Sequence, residues 1–130
     1  MLRSTLIIAA IFSSCSPDET ISGQTESADI WVLQSINDDP VIETITLEFP
    51  EEGRITGRAP CNQYFATQSA PLPWFEVSKI GATKMACPAL KKEQEYFEHL
   101  QIMSSAEVTG DTLILRSVTG FEIVMVYKKD

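Results

Sequence analysis

The sequence predicts a mainly β fold of the α+β class: a small, barrel-like, strongly curved antiparallel sheet of about eight strands with one helix packed on it. Three observations carry this. Short runs rich in Val, Ile, Thr and aromatic residues recur between turn signals along residues 29–127. One segment alone, 88–100, changes to a helical period. The chain then closes with two apolar runs across Gly110–Asp111 and Thr119–Gly120, the spacing of hairpins.

The first residues stand apart from this domain. "MLRSTLIIAAIFSSC" carries one cation, Arg3, then an apolar run, Leu6–Phe12, then two serines before Cys15. That is the order of a secretory signal peptide, 1–14. The run is far short of the ~20 residues a membrane-spanning helix needs. The stretch resembles a bacterial lipobox, whose lipid-modified Cys becomes the first mature residue, with Phe12 where Leu is usual. The lipidation site is then Cys15. The other reading is an ordinary signal peptide with Cys15 incidental. Each buried acyl CH2 contributes about 0.8 kcal/mol, so several chains on one Cys hold a soluble domain at a membrane. Ser16, where an Asp would retain a lipoprotein in the inner membrane of relatives, favours the outer one. The expected location is the bacterial cell envelope, facing the periplasm.

Residues 15–29 follow as an expected flexible tether, because "SPDETISGQTESAD" holds one large apolar residue, Ile21. The folded domain is then 30–130. Its first strand is "DIWVLQSI", 29–36, ended by the turn residues of "NDDP". "ETITLEF", 43–49, alternates, with Ile45, Leu47 and Phe49 on one face. A strand at 54–59 is expected to break near Gly57. Strands at 62–67 and 74–80 flank a proline-containing loop. In the helix, Leu90, Phe97 and Leu100 share a stripe, bordered by Tyr96 and Met103, and Pro88 suits the first turn. The last strands are 106–109, 112–118 and 120–127. Phe121, Ile123, Met125 and Tyr127 share one face of the final strand, and Val124 and Val126 make its other face apolar.

Charge excludes one class of partner. The chain has 10 Lys and Arg against 18 Asp and Glu, a net charge of −8. Loss of Arg3 with the signal peptide makes it one unit more negative. Nucleic acid, which requires a basic surface, is not an expected partner. Electrostatic adhesion to anionic lipid is disfavoured too, so a lipid anchor at Cys15 has to supply membrane attachment.

Three readings compete for Cys61 and Cys87. In an oxidising compartment, with Cys15 assigned to lipid, the remaining even pair suits a disulfide. Closing a loop of roughly 27 residues contributes about 3.5 kcal/mol. A reactive thiol is the second reading, since Cys87 precedes a helix start. Metal is the third, but His99 stands about 18 Å along a continuous helix from Cys87. No metal and no cofactor are expected. His99 lacks a nucleophile in a recognisable motif, and Glu51–Glu52 reads as a solvated turn, so no catalytic residues are assigned and the chain is not expected to be an enzyme. Trp31 and Trp74 are read as core residues rather than as a pocket lining.

"GRAPCNQYFA", "IGATKMACPALKKEQEYFEHL", "WVLQSI" and the closing "VTGDTLIL … GFEIVMVY" resemble the META domain of HslJ-like bacterial lipoproteins. The resemblance spans about residues 30–127. Its motif residues here are Asn62 beside Cys61, then Thr83, Met85 and Pro88 around Cys87, with Glu93 or Glu95 in the next helix. Pro60, Gln63 and Ala66 depart from the family pattern. The resemblance implies a β-rich, barrel-like fold with one helix and a link to heat or antibiotic stress. It implies no reaction. The function expected is that of a non-enzymatic envelope lipoprotein acting through contacts with another envelope protein. The alternative is a small barrel holding an apolar or amphiphilic ligand.

Overall fold

The computed structural model describes residues 17–118 and 122–130. Asn37 and Asp38 set the first hairpin. Both take positive φ, 50° and 67°, the left-handed region that Asn and Asp tolerate better than other side chains. With Ile36 paired to Asp39, this is a two-residue turn whose twist suits antiparallel strands. It joins β1 (Trp31–Ile36) to a two-residue β2 (Asp39–Pro40). The chain continues through β3 (Thr46–Leu47), β4 (Arg54–Arg58), β5 (Gln63–Gln68) and β6 (Val77–Ala82). Then come α1 (Leu90–Gln101), β7 (Ser105–Thr109), β8 (Thr112–Arg116) and β9 (Val124–Lys129). Gly110, at φ 58°, makes the turn between β7 and β8.

All pairings are antiparallel. One sheet runs β2-β1-β9-β8-β7, with β3 also on β1, and a second runs β4-β5-β6. The two do not close into a continuous barrel. Single bridges link them instead, Glu48–Thr56 at one place and Trp74–Ser105 at the other. Between the sheets lies a core whose largest members are Trp31, Tyr64, Phe75, Tyr96 and Tyr127, all buried. Helix α1 follows β6 and packs on it.

The expected elements are present with shifted edges. The alternation of Ile45, Leu47 and Phe49 does point inward, and all three are buried. Gly57 does not break β4, which runs unbroken through it. A Cβ at Gly57 would lie 2.2 Å from Thr46 O and 2.7 Å from the Tyr64 ring, so glycine is there to let β3 and Tyr64 approach. The strand expected at 74–80 begins only at Val77, and Trp74 is 61% exposed rather than a core residue. Trp31 is in the core. The last strand is Val124–Lys129 rather than 120–127. Met125 and Tyr127 are buried, whereas Val124 and Val126 are half-buried; Phe121 lies outside the described residues. The helix starts at Leu90, two residues after Pro88. Its buried face is Glu93, Tyr96 and Leu100, with Phe97 at the edge.

The tether expected over 15–29 departs from the structure in its described part. Ile21 is fully buried, within a 3-10 turn, Ile21–Gln24, that packs on β7. The Asp18 carboxylate accepts the Thr20 N–H at 2.9 Å and the hydroxyls of Thr20 and Ser22. Partial burial works to raise its pKa, but these hydrogen bonds outweigh that and hold it below the usual value. The buried Ile21, together with the Leu72 N–H donated to Glu19 O at 2.8 Å, holds this segment on the domain. Cys15 lies outside the described residues.

Candidate functional site

The motif residues converge where β5, the loop after β6 and the start of α1 meet. Cys61 and Cys87 are bonded to each other, with Cα atoms 5.6 Å apart, inside the usual range of about 4.4–6.8 Å. The disulfide reading therefore holds in this structure, and neither sulfur is a free thiol or a metal ligand. Among the described residues no group of three or more His, Cys, Asp or Glu could hold a metal ion.

Beside the disulfide, Glu93 is only 3% exposed. Among the described residues no cation pairs with it. Its Oε1 accepts the Cys61 N–H at 3.1 Å and the Asn62 N–H at 2.8 Å. Its Oε2 accepts the Asn62 amide at 2.7 Å. Three donors to one buried carboxylate compensate for lost hydration without a counter-ion. Asn62 is saturated in turn. Its Nδ2 also donates to Met85 O at 3.0 Å, and its Oδ1 accepts the Met85 N–H at 2.6 Å and the Thr83 hydroxyl at 3.0 Å. The Gln63 N–H closes the ring on Thr83 Oγ1 at 3.2 Å. The geometry ties three segments together at one amide.

Of the motif residues, Asn62, Thr83 and Met85 meet here with the two cysteines. Met85 contributes its backbone, and its side chain is 67% exposed. Pro88 is exposed and makes none of these contacts; it lies in the turn where the Leu90 N–H bonds Cys87 O at 3.1 Å. The choice left open between Glu93 and Glu95 falls to Glu93. Glu95 points outward, 3.8 Å from Lys92. Glu51 pairs with Arg54 at 3.5 Å in an exposed turn.

Sequence reasoning missed a second cluster, deeper in the core. Tyr64 of β5, Tyr96 of α1 and Tyr127 of β9 form a chain of hydroxyls: Tyr64 to Tyr96 at 2.8 Å, Tyr96 to Tyr127 at 2.9 Å. Tyr64 donates to Thr46 O at 2.6 Å. A carbonyl can only accept, so the proton order follows: Tyr127 donates to Tyr96, Tyr96 to Tyr64, Tyr64 to Thr46 O. Burial pushes Tyr96 up to about 12, against a partial lowering by its two hydroxyl partners. Burial first, then the neighbouring phenols, raise Tyr64 and Tyr127 well above 10. The only advance signal was a helical face: Glu93, Tyr96 and Leu100 at i, i+3 and i+7.

His99 stands apart from both clusters. It lines an open surface groove of about 320 Å³ between α1 and the 36–45 segment, together with Lys92, Glu95 and Glu43. Its lining is mixed, and the apolar part is made by Ile36, Val41, Ile45 and Ile123.

A family model described as META domain matches residues 24–130. Among solved structures, "NMR structure of the protein from Burkholderia xenovorans" is 19% identical, with a TM-score of 0.63, covering 78% of this chain and 81% of that one. A second, "NMR structure of the protein", is 22% identical, with a TM-score of 0.61, covering 81% of this chain and 92% of that one. At these identities the likeness is one of fold. Among curated proteins none matches.

Proposed function

The chain belongs to the META domain family, and we propose that it works as a non-enzymatic, lipid-anchored protein of the bacterial cell envelope that supports tolerance of heat or antibiotic stress through protein contacts. The observation that supports this reading is how the motif residues spend their hydrogen bonds. Glu93 and Asn62, the chemically richest pair in the motif, are turned on each other and on neighbouring backbone. The cysteines are joined. The motif is thereby a clasp for the fold, and the outward surface is left for contacts. Anchoring at Cys15 is read from the sequence alone.

Two experiments test this. Cys15→Ser should release the protein from the membrane fraction with its fold unchanged by circular dichroism; retention in the pellet refutes the anchor. A strain lacking the protein should lose viability under heat or antibiotic challenge and regain it with the native gene. Equal survival refutes the stress role.

A second reading, a binder of a small amphiphile, has one observation behind it. The space between the sheets is occupied by a core rich in aromatic side chains, so such a ligand would use the groove beside α1, whose lining combines apolar residues with Lys92 and Glu95. Saturable binding of a fluorescent fatty acid, lost in Val41→Asp with the fold unchanged by circular dichroism, would favour it.

A further inference from the structure

Three large apolar side chains stand out on the surface at one corner of the larger sheet. Trp74 is 61% exposed, Ile102 42% and Val118 72%. Backbone pairing brings their segments together. Trp74 bridges Ser105, and the Phe75 N–H bonds Ser104 O at 3.0 Å. The Ser104 N–H bonds Arg116 O at 2.8 Å, and Ser105 faces Arg116 in the β7–β8 register. Ile102 is two residues before Ser104, and Val118 two after Arg116. An indole in open water is an unusual use of a residue that prefers an apolar body of surroundings with a wet edge.

The chain's entry into the fold lies beside this corner. Asp18 is held by Thr20 and Ser22, and Ile21 is buried. Glu19 O accepts the Leu72 N–H at 2.8 Å, two residues from Trp74. From Cys15 to Asp18 the chain has three residue steps, which span at most about 11 Å fully extended. The headgroup layer on each side of a bilayer is about 5–7 Å thick. A lipid on Cys15 therefore leaves the domain almost no slack.

We propose that the corner formed by Trp74, Ile102 and Val118 docks on the surface of the bilayer that holds the acyl chains of Cys15, with the Trp74 indole at the level of the headgroups. This rests on the lipid-anchor reading given above. The short reach from Cys15 selects lipid as the occupant, since the bilayer is the one surface the anchor brings within about 11 Å. The indole suits it, because Trp concentrates at membrane interfaces. The flank of the corner is acidic: Glu19 and Glu52 share a surface groove with Pro17 and Pro71, next to Asp18. Within a Debye length of about 8–10 Å these charges are repelled by anionic lipid. The docked surface is therefore zwitterionic rather than anionic.

The test uses the full, lipidated chain in vesicles of phosphatidylcholine, with and without phosphatidylglycerol. Acrylamide quenching reports on Trp74, because Trp31 is buried; a Trp74→Phe variant identifies the responsive signal. Docking lowers the quenching constant by roughly threefold relative to the same protein in detergent-free solution after release of its lipidated end by proteolysis. The drop is smaller on phosphatidylglycerol vesicles and vanishes in Trp74→Phe. Unchanged quenching in protein that carries lipid by intact mass and floats with vesicles overturns the docking and leaves the anchor standing. Protein without lipid overturns both. Equal shielding in the released, vesicle-free domain assigns the corner to a second copy or another protein and overturns the lipid as its occupant.

Discussion

Replacing Glu93 tests the clasp most directly. In Glu93→Gln the side chain keeps its length and one acceptor, which still serves the Cys61 and Asn62 N–H groups. The other end becomes an NH2 facing the Asn62 amide nitrogen, 2.7 Å from the present oxygen. Two donors then oppose each other. Asn62 cannot relieve this by flipping, because its oxygen already accepts from Met85 N–H and Thr83. The loss is one charge-assisted hydrogen bond plus a buried donor without a partner, about 2–3 kcal/mol. Glu93→Ala strips all three donors of their acceptor. Cys61 is half-buried and recovers water, while Asn62 is buried, so the cost rises to about 3–5 kcal/mol. Urea unfolding with the disulfide intact, followed by circular dichroism, measures both. The double variant Glu93→Gln, Asn62→Asp reverses the polarity of the pair and should recover at least about 1 kcal/mol of the two single losses. If both Glu93 variants unfold within about 0.5 kcal/mol of wild type, the carboxylate is not what holds helix α1 to β5.

Converting both Cys61 and Cys87 to serine should cost about 3.5 kcal/mol in the same assay, and the native protein should gain two hydrogens by intact mass only when a reductant is added. The tyrosine chain predicts a particular alkaline transition. Tyr64, Tyr96 and Tyr127 hold their protons to higher pH in the folded state than the unfolded value of 10. Their contribution is whole below pH 10 and is lost as pH rises through about 12, the Tyr96 value. Tyrosinate absorbance from these three should therefore appear together with unfolding; early titration of all three in the folded protein would contradict their burial. Ile21→Ala should destabilise the domain by about 2–4 kcal/mol, and a change near zero would show that the 3-10 turn adds nothing to the core.

Period and turn chemistry made most of the fold legible. The Ile45-Leu47-Phe49 alternation, the Asn37–Asp38 turn and the Gly110 hairpin are local, and each has a local cause. The division into two sheets depends on which strands pair at long range, and no residue announces it. Trp74 was misplaced because an exposed indole and a buried one look alike in sequence. Ile21 was missed for the opposite reason, as a lone apolar residue among polar ones carries no periodicity. In the site, Cys61, Asn62, Thr83 and Cys87 stood out as a family motif, but their common acceptor did not. Glu93 and Glu95 are both acids on one helix, and only the docking angle of α1 decides which faces inward. The tyrosine chain draws one residue from each of three elements, more than 30 positions apart in sequence.

The pairing of β1 with β9 has a consequence for when the domain can exist at all. These strands open and close the described sheet elements, with Trp31 opposite Lys129, and they sit side by side in the interior of the larger sheet. A chain emerging from its N-terminus has nothing to lay against β1 on that side until β9 has been made. Contacts of such long sequence separation form slowly and late. The exposed edge of β1, and the hole that Tyr127 fills, persist until β9 is in place. Loss of β9 therefore removes the middle of the larger sheet rather than its fringe, and leaves β1 with an open edge of the kind that makes incomplete chains prone to aggregate.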